Sequence, residues 1–142
     1  MILDYLNQNK DLGEYISHFP NEENFIHQIN SKSANNIDRS LLYNVIKAQN
    51  NNISLSEISD KNIELLKDKN TFTVTTGHQL CLFTGPLYFI YKIASTINLV
   101  DRLRTKYLQY NFVPIFWLAS EDHDFKEIKS IKGESSVSIR KG

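Results

Sequence analysis

The chain has 142 residues, with 16 Lys+Arg against 16 Asp+Glu and a formal net charge of zero; a protein that binds nucleic acid by neutralising phosphates is usually basic, so this balance argues against one. Hydrophobic residues at 41% and aromatics at 11% suffice for a core and exclude a disordered chain, and a single cysteine excludes an internal disulfide framework or a multi-cysteine metal knuckle. No run of about 18 apolar residues suggests a membrane span. The opening Met1-Ile2-Leu3-Asp4-Tyr5 lacks the basic-then-apolar pattern of a secretion signal, so a cytoplasmic protein is expected. Residues 1–70 carry 7 basic and 10 acidic groups, and residues 71–142 carry 9 and 6. The change of sign coincides with a change of texture. The first half is rich in Asn, Ser and Glu; the second holds the long apolar runs.

Residues 1–70 predict a mostly helical segment. A loop at His18, Pro20 and Asn21 leads into a short helix at 22–29. Asp38 caps a helix whose Leu41, Leu42, Val45 and Ile46 form one apolar stripe. Ser54 with Glu57 fits a capping box, and Ser59 or Asp60 starts a further helix through Ile63, Leu65 and Leu66. Asn50-Asn51-Asn52 is a polar connector. These elements read as scaffolding.

Residues 71–142 change period. Phe72-Thr73-Val74-Thr75-Thr76 is β-branched and aromatic, predicting a strand that ends at Gly77 and a loop through Gly85. Pro86 opens a helix, since its missing N–H has no intrahelical partner at that position. Ile90, Ile93, Ile97 and Val100 fall on one helix face, with Lys92, Ser95 and Arg102 opposite. The apolar run 114–119 predicts a second strand covered on both faces, with Pro114 at its first residue and Trp117 in the core. A third strand fits residues 136–140. Strand, helix and strand make a parallel βαβ unit. The expected class is α/β, an incomplete parallel sheet preceded by a helical segment, in the N-terminal part of a longer protein.

Ligands of open α/β sheets bind beyond the carboxyl ends of the strands. Two polar clusters fall there. Gly77, His78 and Gln79 with Thr84 and Gly85 precede the helix, whose N-terminal N–H groups attract anions. The glycines and Pro86 act either as an anion cradle or simply as turn and cap residues. Neither a Walker loop nor a dinucleotide fingerprint is present. Glu121-Asp122-His123-Asp124 places four titratable groups after the second strand. Crowded carboxylates repel one another, so such a group either caps a helix in solvent or binds something. Carboxylate and imidazole together serve as a proton-transfer pair or as metal ligands. Tyr88, in the first turn of the helix, is close enough to touch a ligand. Cys81, between Leu80 and Leu82, reads as a small buried hydrophobe.

Thr76-Gly77-His78-Gln79, Leu82-Phe83-Thr84-Gly85-Pro86-Leu87-Tyr88 and Tyr91-Lys92, followed by residues 113–125 ending Ser120-Glu121-Asp122-His123-Asp124-Phe125, resemble two motifs of the cysteine-adding enzymes of bacillithiol biosynthesis. The likeness is good over roughly residues 45–131. It implies a Rossmann-like core of nucleotidyltransferase character and a helical, coiled-coil remainder in a longer, dimeric protein. It further implies the joining of cysteine to a glucosaminyl malate; because amide formation needs an activated carboxyl or amine partner, ATP or ADP is the nucleotide expected, and no metal is assigned. On that basis Asp122, His123 and His78 are the catalytic candidates. Gly77, Gln79, Thr84, Gly85, Tyr88, Glu121 and Asp124 are candidates for binding substrate or nucleotide. Other members often differ at His78 and Cys81, so Gln79 and the Thr84-Gly85-Pro86 turn carry over more directly. Two rival functions are a metal-dependent hydrolase using His78 and the 121–124 cluster, and a non-catalytic ligand-binding domain.

Overall fold

The computed structural model describes residues 2–81, 85–121, 130–131 and 137–138. The chain divides into two compact units, Met1–Asn70 and Thr71–Gly142.

The first unit is built from short helices started by side-chain caps. Helix α1 spans Ile2–Leu6 and a 3-10 turn spans Lys10–Leu12. Asn21 accepts from the Asn24 amide at 2.9 Å and starts the 3-10 turn Glu22–Asn24, which runs into α2, Phe25–Ser33. Asp38 accepts from the Leu41 amide at 2.9 Å and starts α3, Arg39–Gln49. The predicted stripe on α3 is only half inward. Leu42 and Ile46 are partly buried, whereas Leu41 and Val45 are exposed. Helix α4, Glu57–Leu65, starts at Ser56, whose hydroxyl accepts from the Ser59 amide at 3.2 Å. One helix therefore replaces the capping box at Ser54 and the later start at Ser59 or Asp60. The serine three residues before a free amide wins, because its oxygen reaches that amide directly. Ile29, Ile63 and Leu66 are buried.

Helices α3 and α4 are neighbours, tied by a polar network. Tyr43 donates to Glu64 at 2.8 Å, Lys67 pairs with Glu64 at 2.5 Å, and Lys47 pairs with Asp60 at 3.3 Å. The hydrogen bonds from Lys67 and then Tyr43 hold the Glu64 carboxyl below the usual carboxylate range. Their Glu64 and Asp60 partners raise Lys67 and Lys47 respectively. A depressed carboxyl contributes stability above its unfolded pKa of about 4.3 and loses it as pH falls through the folded value. The raised lysines contribute below their unfolded pKa and lose that as pH rises through the folded one. All these groups are exposed, so water and salt weaken the network. Thermal unfolding should show a smaller loss between neutral and acid pH in Glu64→Gln than in the wild type, and added salt should shrink the difference. An identical acid response in the two proteins would show that the network contributes nothing.

The second unit is a βαβ unit. Strand β1 spans Thr71–Gln79, α5 spans Leu87–Lys106 and β2 spans Asn111–Ala119. The strands pair in parallel, from Thr71 opposite Asn111 to Gln79 opposite Ala119. β1 thus continues through Gly77, and His78 and Gln79 are strand residues rather than loop. Pro86 is the N-cap of α5, extended at φ −70° and ψ 154°, not its first helical residue. β2 begins three residues before Pro114, which lies mid-strand opposite Val74. A mid-strand proline lacks a ladder donor and fits where one side of the strand has no partner; among the described residues β2 is paired only with β1.

The core lies at the starts of the strands. Val100, Leu103, Tyr107, Phe112 and Val113 are buried there, each large apolar side chain worth about 1.5–3 kcal/mol against exposure. Phe72 meets Tyr110 edge-on at 5.4 Å, and Arg104 donates to the Phe112 carbonyl at 2.9 Å. The sheet's other end is open. Phe116, Trp117 and Leu118 are 37%, 58% and 51% exposed. The expectation of a strand covered on both faces, with Trp117 in the core, holds only at Phe112 and Val113. Within this unit α5 packs against both β1 and β2. Two further two-residue strands, β3 at Ser130–Ile131 and β4 at Val137–Ser138, pair antiparallel in a separate sheet. The strand predicted at 136–140 is seen at Val137–Ser138, and its other residues lie outside the described ones.

Candidate functional site at the carboxyl ends of the strands

The register decides what meets at the open end. Because Gln79 pairs with Ala119, β1 and β2 finish at the same end of the sheet. Gly77, His78 and Gln79 stand on β1; Glu121 stands two residues past the end of β2 and is exposed. Thr84, Asp122, His123 and Asp124 lie outside the described residues.

Gly77 has a different job from the one its letter suggests. It makes no left-handed turn. A Cβ there would lie 2.7 Å from the Trp117 carbonyl oxygen and 3.0 Å from the Trp117 Cβ. The missing side chain lets the two strand ends close on each other. Gly85 is the residue that needs a left-handed backbone, at φ 65°. A Cβ on Gly85 would also come within 2.6 Å of the Cys81 Sγ. Cys81 is half-buried and its thiol faces this turn.

His78 is held from both ring nitrogens. Nδ1 lies 2.8 Å from the Gln79 carbonyl oxygen and Nε2 lies 2.6 Å from the Tyr88 hydroxyl. A carbonyl only accepts, so Nδ1 carries the hydrogen. In the neutral ring Nε2 is then the acceptor and the Tyr88 hydroxyl donates to it. Metal ligation through Nε2 would displace Tyr88, which counts against the hydrolase reading for this histidine. Among the described residues no group of three His, Cys, Asp or Glu side chains is placed to hold a metal.

Phe89 locks the end of the sheet. Its ring meets His78 edge-on at 5.4 Å and Phe116 at 5.2 Å, so one α5 side chain touches both strands. Lys92 donates from Nζ to the Gly77 carbonyl at 2.5 Å and lies 5.8 Å from the centre of the Tyr88 ring. Sequence reasoning placed Lys92 on the outward face of the helix. In the structure Ile90 and Ile97 are the exposed residues, and the inward stripe runs through Phe89, Lys92, Ile93, Thr96, Val100 and Leu103. The spacing of those six positions carried the signal; two isoleucines outside the stripe, Ile90 and Ile97, masked it.

Gly77, His78, Gln79 and Tyr88 are thus brought into one bonded cluster, joined by Lys92 and Phe89. Gly85 stands at the start of α5. No described helix is long and apolar enough to cross a membrane.

The model of the domain described as "Bacillithiol biosynthesis BshC, N-terminal Rossmann-like domain" matches residues 1–141. A protein of Flavobacterium psychrophilum named "Putative cysteine ligase BshC" is 54% identical over 131 residues, covering 90% of this chain and 25% of that protein. Its namesake in Flavobacterium johnsoniae is 55% identical over 130 residues, again 90% of this chain and 25% of the relative. The one in Bacillus mycoides is 30% identical over 141 residues, 99% of this chain and 26% of the relative. The chain spans about a quarter of the length of these relatives. By the match along almost its whole length and by its parallel strand–helix–strand unit, the chain belongs to the bacillithiol biosynthesis BshC family, as its N-terminal Rossmann-like domain.

Proposed function

We propose that this domain carries substrate- and nucleotide-binding residues of a ligase that joins cysteine to glucosaminyl malate through an amide bond. The observation that supports the reading is the parallel register of Gln79 with Ala119, by which both strands finish at the same end of the sheet. Its second support is family membership, since the relatives carry the name of a cysteine ligase.

Joining a carboxylate to an amine requires a better leaving group than oxide and an amine that has lost its extra proton. ATP would supply the first when bound, since transfer of a phosphoryl or adenylyl group to the carboxylate oxygen, with ADP or pyrophosphate leaving, gives a carboxyl group that an amine can displace. Asp122 and His123, directly after Glu121, receive the proton or position the amine, and His78 holds Tyr88 in place. Gln79, Tyr88, Glu121 and Asp124 hydrogen-bond the polar substrate. In this reading Gly77, Thr84 and Gly85 contribute to binding phosphate or carboxylate near the start of α5, where backbone N–H groups and the helix dipole favour negative charge. The substrates place the reaction in the cytoplasm, where thiols stay reduced.

The test is direct. The intact protein is incubated with cysteine, glucosaminyl malate and ATP, and products are read by mass spectrometry. The reading expects ATP-dependent appearance of the cysteinyl amide. Consumption of neither thiol nor amino sugar would contradict it.

A further inference from the structure

We propose that Lys92 is the group that holds an anionic oxygen of the substrate at this site, a residue absent from every sequence-based candidate above. The inference deepens the ligase reading and rests on it for the identity of the substrate.

Lys92 stands in the wrong place for a surface charge. Phe89, Ile93, Thr96, Val100 and Leu103 turn the inward face of α5 to the strands, and Lys92 falls on that same face. Its stem is half-buried. A lysine on such a face is retained when its head has work to do, because its burial costs stem entropy and ammonium hydration. The head reaches the Gly77 carbonyl, at the carboxyl end of β1. That partner is neutral. It satisfies one of three N–H donors and brings no negative charge of its own. Among the described residues, the ion pairs of the structure are made by other lysines and an arginine, and none includes Lys92.

The surroundings suit an anion. The Tyr88 ring lies 5.8 Å from Nζ, and its hydroxyl is turned to His78. The bond to the Gly77 carbonyl fixes the ammonium at the strand end, so little freedom is lost when a ligand arrives. The shared chemistry is a phosphate or carboxylate oxygen. ATP supplies the first and the malyl group of the sugar supplies the second.

The experiment reads Lys92 in the intact wild-type protein by its reactivity toward an amine-acetylating reagent, located by mass spectrometry. Protection is measured separately with ATP and with glucosaminyl malate. The inference expects one of them to protect Lys92; ATP protection assigns the phosphate and sugar protection assigns the carboxylate. Lys92→Met should then weaken that ligand's binding by about ten- to a hundredfold, with Lys92→Arg recovering most of the loss, and KM for that ligand should rise more than kcat falls. Protection by neither ligand would overturn the inference, as would wild-type affinity for both in Lys92→Met. A protein that forms no amide yet shows ATP protection of Lys92 would sink the ligase reading and leave this one standing.

Discussion

Gly77→Val is expected to unzip the ends of β1 and β2 and to destabilise the second unit more than a substitution at any exposed strand position. The added Cβ would meet the Trp117 carbonyl oxygen at 2.7 Å, well inside contact. The Trp117 side chain is 58% exposed and can swing away, but its carbonyl belongs to the backbone of β2. Relief therefore requires the strands to part from the Gly77–Trp117 pair onward, through His78–Leu118 and Gln79–Ala119. Overpacking of this kind costs about 1–3 kcal/mol, and the branched residue stands at the upper end. Lys92 loses its carbonyl partner in the same movement. Denaturant unfolding of the intact protein measures the cost. Hydrogen exchange at residues 77–79 and 117–119 measures the fraying. A valine variant with wild-type stability and protection would show that the strands do not approach at this point.

On the proposed ligase reading, Asp122→Asn in the intact protein should abolish most activity while leaving the fold intact. Asp122 is the third residue after Ala119, the register partner of Gln79. Asp122 itself lies outside the described residues; what the structure gives is that β2 ends at Ala119 beside the end of β1, where His78, Tyr88 and Lys92 are bonded together. The amide keeps the shape and removes the base. A positioned proton acceptor contributes about 10²–10⁴-fold to rate, so kcat should fall by that order with the circular dichroism spectrum unchanged. A kcat within twofold of the wild type would remove Asp122 from the reaction and shift attention to His123.

Much of this was legible because strong local patterns were also the tertiary ones. Asp38 announced α3, Phe72–Thr76 announced β1, and the apolar run at 114–119 announced β2. The misreadings share a physical origin, which is that letters report propensity and not neighbours. Gly77 looked like a strand terminator, yet its lack of a side chain serves a partner strand 40 residues away in sequence. Trp117 looked like core, but the described residues put α5 on one face of the sheet and leave Trp117 exposed. Pro114 looked like a strand start, since a chain read alone does not show which edge of the strand is unpaired. The helical wheel of α5 was rotated by counting isoleucines. Ile90 and Ile97 are exposed, and the polar Lys92 and Thr96 share the inward stripe. The His78–Tyr88 bond joins two elements and has no trace in spacing.

The central claim is that the His78-Gln79 end of β1 and the acidic segment after β2 border one binding site. A crystal structure of the intact protein with glucosaminyl malate and a non-hydrolysable ATP analogue tests it most directly. The account predicts a ligand within hydrogen-bonding reach of Lys92 or Tyr88 and also of the 121–124 segment. A ligand bound elsewhere, with these two stretches on separate surfaces, would contradict it.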